Sequence, residues 1–182
     1  MSAMLTEEYK DDVVKSTAGF PPRIKEQRFD TTVRNEGPFP LRHTDSLHSN
    51  VIVDTEFNVL SIIDWEHAGT VPWERLEFPR FLYRLPPAFD FPWRYGADGK
   101  PLADDTRKVW GEREEYMRSV AESEKERGYD DGLSSILGSI YYQNLSSCYS
   151  LYEDGKLSIY CRALDDFMPD RSVGMPKKGS ED

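Results

Sequence analysis

Cysteine and histidine are scarce in this 182-residue chain, which holds two cysteines, Cys148 and Cys161, and three histidines. So few thiols exclude a disulfide-stapled scaffold, and their spacing fits no zinc motif. They read as buried, reduced side chains of a cytoplasmic protein. Long apolar runs are also missing. No stretch approaches the roughly 20 residues that a membrane span needs. The start, MSAMLTEEYK, has no basic region followed by an apolar run, so no secretory signal is expected. Positive charge is in deficit: 23 Lys and Arg face 33 Asp and Glu, a formal net charge of -10. A nucleic-acid binder needs a basic face to displace counterions, so that class of partner is excluded, as is a membrane.

What is present suits one folded domain. Hydrophobic residues reach only 38%, but aromatics make up 13%, enough for a packed core in a chain of this length. Residues 1–18 read as a short helix, with Leu5, Tyr9 and Val13 at fourfold spacing. Residues 19–40 hold Gly19, Pro21, Pro22, Gly37, Pro38 and Pro40 and read as irregular. Two β-branched runs, Val51 to Val53 and Val59 to Ile63, flank a polar turn and predict a hairpin. Residues 65–103, rich in Pro, Trp and Phe, predict a packed but irregular segment. Apolar stripes then predict one helix over 104–127 and a second over 130–154, with Gly155 as its C-cap and a shorter helix over 157–167. No internal repeat is visible. The expected fold class is α+β, mostly helical.

The chemistry concentrates in LRHTDSLHSNVIVDTEFNVLSIIDWE. Asp45 and Asn50 bracket a four-residue loop; Asn50 opens the first hairpin strand and Asp64 closes the second. Loop and strand end can lie side by side, with three oxygen-bearing side chains converging. Phosphoryl transfer needs such a set. A carboxylate such as Asp45 can orient a hydroxyl and take its proton. An amide oxygen and a carboxylate, Asn50 and Asp64, can hold Mg²⁺, a hard cation that prefers oxygen.

The order H-T-D-x-x-x-x-N followed by I-I-D-W-E resembles the aminoglycoside phosphotransferase and choline kinase family, a branch of the protein-kinase-like fold. The stretches AGTVPWERLEFPRFL and LYEDGKLSIY resemble fungal members of that branch. The resemblance implies the C-terminal lobe of that fold, with the small hairpin carrying the catalytic loop. It divides the chain into an N-terminal helix and irregular extension (1–36), the lobe (37–168) and a polar tail (169–182) expected to be disordered. It implies Asp45 as catalytic base, Asn50 and Asp64 as Mg²⁺ ligands, and His43 as a brace between the loop and the Asp64 segment. ATP would be the co-substrate and a small hydroxyl compound the acceptor. Family acceptors are often cationic and are held by carboxylates of the last helices, which points to Asp165 and Asp166.

The sequence departs from the family before His43. There the family has a five-stranded lobe with a phosphate-covering loop and a strand lysine. Here Lys10, Lys15 and Lys25 sit in helical or irregular sequence. The chain by itself is therefore expected to transfer phosphate weakly or not at all. The alternative is a non-catalytic remnant of the lobe that serves as a binding or interaction module. Either way, exposed apolar surface is expected where that lobe would dock, open to self-association or a partner. A zinc site built on His43, Asp45 and His48 lacks further ligands. Glu66, Trp73 and Glu74 read as local or packing residues rather than substrate contacts.

Overall fold

The computed structural model describes residues 7–27, 33–90, 92–156 and 160. Among them the chain is α+β and mostly helical. The first helix, α1, spans Glu7–Gln27. Four short strands follow: β1 (Leu41–Arg42), β2 (Val51–Val53), β3 (Val59–Ile62) and β4 (Gly69–Thr70). Three further helices close the described part: α2 (Asp104–Glu126), α3 (Gly132–Gly138) and α4 (Ile140–Glu153). None of these helices is long and apolar enough to cross a membrane.

Helix α1 corrects the reading of residues 19–40 as wholly irregular, because it runs through Pro21 and Pro22. Two prolines remove two backbone donors and should end a helix. Packing overrides that cost. Phe20 is 2% exposed, and its ring lies 5.6 Å from that of Tyr149, 5.2 Å from Tyr152 and 5.1 Å from Tyr160. Ile24, one turn on, packs against the same cluster of Phe20, Leu145, Cys148 and Tyr160. Full burial of one such side chain is worth about 1.5–3 kcal/mol. This cluster makes Cys148 a buried free thiol. Cys161, the tail and all of the 157–167 helix except Tyr160 lie outside the described residues.

A second core holds Trp73, Leu76, Phe78 and Leu82 against Ile136 and Leu137. The first four come from the segment expected to be packed but irregular. It does carry a local order that the sequence alone did not reveal. Pro72, Pro79 and Pro86 recur every seventh residue, and each precedes a single 3-10 turn. Each proline carbonyl accepts from the N–H three residues on: Arg75 at 2.9 Å, Leu82 at 2.8 Å and Phe89 at 2.9 Å. Arg113 of α2 fixes the segment from the side, donating from Nε to the Leu82 carbonyl at 2.7 Å and from Nη2 to that of Arg84 at 2.9 Å. Burial pulls the Arg113 pKa down to about 10.

The helix expected over 130–154 is two helices. Ser139 breaks it with an extended backbone, φ −83° and ψ 114°, and accepts from the Tyr142 N–H at 3.4 Å as the N-cap of α4. Glycine before serine weakens the helix there and offers a competing cap. The N-terminus of α3 is capped from another helix. Glu124 of α2, only 5% exposed, accepts from the Leu133 N–H at 2.7 Å and the Ser134 hydroxyl at 2.6 Å. Gly155, two residues past the end of α4, closes the helix as expected. Gly155 has φ +68°, and the bonds Gly155 N–H to Tyr152 O and Lys156 N–H to Leu151 O, both 3.0 Å, form a Schellman motif.

Candidate functional site

The hairpin forms as the sequence implies. Val51 pairs with Ile62 and Ile52 with Ser61; Val53 then pairs with Val59, leaving Leu60 as the extra residue of a bulge. Its turn is organised by Asp54. One carboxylate oxygen accepts from the N–H groups of Glu56 at 2.8 Å and Asn58 at 2.9 Å, and the other from the Asn58 amide at 2.9 Å. These bonds hold the Asp54 carboxyl below its ordinary range.

A second ladder pairs β1 with β4, Leu41 with Thr70 and Arg42 with Gly69. The two ladders bracket two facing segments: the loop 43–50 between β1 and β2, and the turn 63–68 between β3 and β4. Two bonds cross between them. The Ile63 N–H donates to the Asn50 carbonyl at 3.0 Å, and the His43 Nε2 lies 2.9 Å from the Ile63 carbonyl. His43 Nδ1 accepts from the Asp45 N–H at 3.2 Å. A backbone N–H can only donate, so Nδ1 is unprotonated and Nε2 carries the ring proton to Ile63. Trp65 closes over this ring, centroids 4.7 Å apart.

Within the loop, Asn50 is buried and its Nδ2 reaches both the Asp45 carbonyl at 2.8 Å and the Asp45 carboxylate at 3.1 Å. The Asn50 amide oxygen is left with a long contact from the Ser49 hydroxyl at 3.5 Å. Asp64 is exposed and sits in the left-handed region at φ +65°, as does His67 at +63°. Such backbone costs a non-glycine residue on the order of 1 kcal/mol or more and tends to collect at functional turns. The structure thus joins Asp45 and Asn50 directly. Asp64 follows Ile63, whose backbone bonds to Asn50 and to His43. Asp165 and Asp166 lie outside the described residues.

Ser46, whose place in the sequence suggests no role, anchors the loop. Its hydroxyl accepts from the Arg80 N–H at 2.8 Å and its carbonyl from the Phe81 N–H at 3.2 Å. Contact across 34 residues leaves no local signal. His48 is exposed and packs on Phe81, centroids 5.1 Å apart. Trp73 and Glu74 are buried and structural. The Trp73 indole donates to the Pro38 carbonyl at 3.2 Å, and the Arg34 guanidinium stands 4.7 Å over its ring. Glu74 accepts from the Val33 N–H. Below the site, Arg42 pairs with Glu77 at 2.5 Å, and Glu77 also accepts from Ser150 of α4 at 2.6 Å.

Residues 43–69 contain five carboxylates, Asp45, Asp54, Glu56, Asp64 and Glu66, and neither Lys nor Arg. The local field favours cations. The donors near the loop are hard oxygens, which suits Mg²⁺ held by one or two protein groups with water completing its shell. No cluster of three His, Cys, Asp or Glu side chains is present among the described residues. Comparison with protein-family models, with curated proteins and with solved structures finds no match.

Proposed function

We propose that this chain carries the acceptor-activating and metal-holding half of a phosphotransferase site of the aminoglycoside phosphotransferase type. In that reading the γ-phosphate of ATP passes to a hydroxyl of a small, often cationic acceptor. The observation that supports it best is the clamped loop: Asn50 bonded to Asp45, and both tied to the Asp64 turn through Ile63. Asp45 orients the acceptor hydroxyl and takes its proton as its oxygen bonds to the γ-phosphorus and the bond to the β,γ-bridging oxygen breaks, releasing ADP. Asn50 keeps the Asp45 carboxylate in place, and its own amide oxygen has only the long contact from the Ser49 hydroxyl. Asn50 and Asp64 would hold Mg²⁺, which when bound neutralises charge on the phosphates. His43 braces loop against turn, and a kinase-like C-terminal lobe is the fold this arrangement suggests.

The chain alone is a weak or inactive catalyst in this proposal. Among the described residues before His43, the regular elements are α1 and the short strand β1. That observation favours a second reading, a non-catalytic lobe that binds a metal, a small molecule or a partner. Thermal melts with Mg²⁺ and ATP, alongside a turnover assay, separate the two. Mg²⁺ should raise the melting temperature of the wild type and not of Asp64→Ala, with turnover at or near background. Turnover abolished by Asp45→Ala would instead establish a competent enzyme. Identical Mg²⁺ responses in wild type and Asp64→Ala would sink the site.

A further inference from the structure

The segment that leads into α2 folds back on itself. Tyr95 bridges Pro101 antiparallel, the Gly96 N–H donates to the Lys100 carbonyl at 2.8 Å, and the Leu102 N–H donates to that of Arg94 at 2.8 Å. The Tyr95 ring lies 6.1 Å from that of Trp110 on α2. Between this loop and the first turn of α2 is a half-enclosed cavity of about 510 Å³. Asp90, Trp93, Arg94, Tyr95, Leu102 and Asp105 are among the residues that line it. Neither core cluster includes them. A cavity of that size suits a small ligand, held by apolar and aromatic surface and oriented by a few polar groups.

The charges on its wall say which ligand. Asp90 is engaged, accepting from Arg94 at 3.0 Å and from the Tyr95 hydroxyl at 3.2 Å. Burial pushes the Tyr95 pKa up to about 12, so that hydroxyl stays a donor. Arg107, on the same turn of α2, is held by Asp104 at 2.6 Å and by the Leu102 carbonyl at 3.0 Å. Asp105 has no cation among the described residues. It accepts only from the Thr106 N–H at 2.8 Å and the Thr106 hydroxyl at 3.4 Å. The cavity thus sets two carboxylates against one guanidinium, in a chain of net charge -10. Trp93, 70% exposed, lines the same cavity, and tryptophan is the best aromatic partner for a cation. We propose that this cavity binds a small organic cation, an ammonium or guanidinium on an apolar body. The charge would sit between Asp105 and Trp93, and the body against Leu102, itself 57% exposed. Arg94 would select against a second positive charge. The assignment uses none of Asp45, Asn50 and Asp64, so it stands or falls apart from phosphate transfer.

The test uses the whole chain and benzylammonium as the probe, with benzyl alcohol and benzoate as neutral and anionic controls, read by titration calorimetry. Benzylammonium should bind about tenfold or more tightly than either control, and more weakly as salt rises. Asp105→Asn and Trp93→Ala, both at exposed positions, should keep the native circular dichroism and each weaken binding about tenfold. Asp11→Asn, on α1, should bind as the wild type does. An equal loss in Asp11→Asn would mean attraction to net charge alone and would overturn the proposal. So would binding that either cavity variant leaves unchanged, or benzoate binding as well as benzylammonium. No binding up to about 10 mM, a weak affinity even for so small a ligand, would overturn it as well.

Discussion

Asn50 holds Asp45 twice, donating from one amide nitrogen to the Asp45 carbonyl at 2.8 Å and to its carboxylate at 3.1 Å. One side chain therefore sets both the path of the loop and the direction of the carboxylate. Replacing Asn50 by Ala leaves the Asp45 carbonyl without this donor in a partly buried place. The expected cost is about 1–3 kcal/mol, read from urea denaturation. Asn50→Asp should cost more, because it sets a second carboxylate against the first.

His43 links three backbone groups that are distant in sequence or differently oriented: the Asp45 amide, the Ile63 carbonyl and, through Ile63, the Asn50 carbonyl. His43→Ala should lower stability by about 1–2 kcal/mol for two lost bonds. Hydrogen exchange should speed up at the Asp45 and Ile63 amides, while the α4 amides keep their protection. Uniform acceleration along the chain would show instead that His43 supports the whole fold.

Glu124 does for α3 what a local N-cap normally does. Asp131, the residue in the cap position, makes no side-chain cap bond, and Glu124 accepts from Leu133 and Ser134 in its place. Glu124→Ala should cost about 1–2 kcal/mol. Glu124→Gln, which keeps an acceptor oxygen, should recover part of that. Thermal melts of the two variants check the order.

The Asp54 turn gives the hairpin a pH dependence of known sign. Its carboxyl is held below the ordinary value of 3.8, chiefly by the Asn58 side chain. A depressed carboxyl contributes its stability fully above the ordinary value, and loses it as pH falls through the lower folded value. An NMR titration should find Asp54 titrating below free aspartate. In Asn58→Ala it should move back up, and the hairpin amides should lose protection at a higher pH than in the wild type.

The hairpin, its turn and α2 were legible because their signals are local: β-branched runs around Asp54 to Asn58, and an amphipathic stripe. The contact of Asp45 with Asn50 was legible because the two bracket a short loop. The extent of α1 was not, since prolines speak locally against a helix and only the tyrosines on α4 and at Tyr160 explain Phe20. The break at Ser139 was hidden because both helices bury the same apolar stripe, and stripe continuity masks a one-residue kink. Glu124 and Ser46 act on residues about nine and 34 positions away, which no window of neighbouring residues reveals.

The crossing bonds at Ile63 make the hairpin a handle on the loop. Asn50 is the last residue of the loop and its carbonyl grips the end of β3. A twist applied at the Asp54 tip, some three residue pairs away, arrives as torsion at the residue that aims Asp45. Whatever stiffens the hairpin narrows the range of directions available to that carboxylate, so mechanical order at the tip and chemical order at the loop rise together.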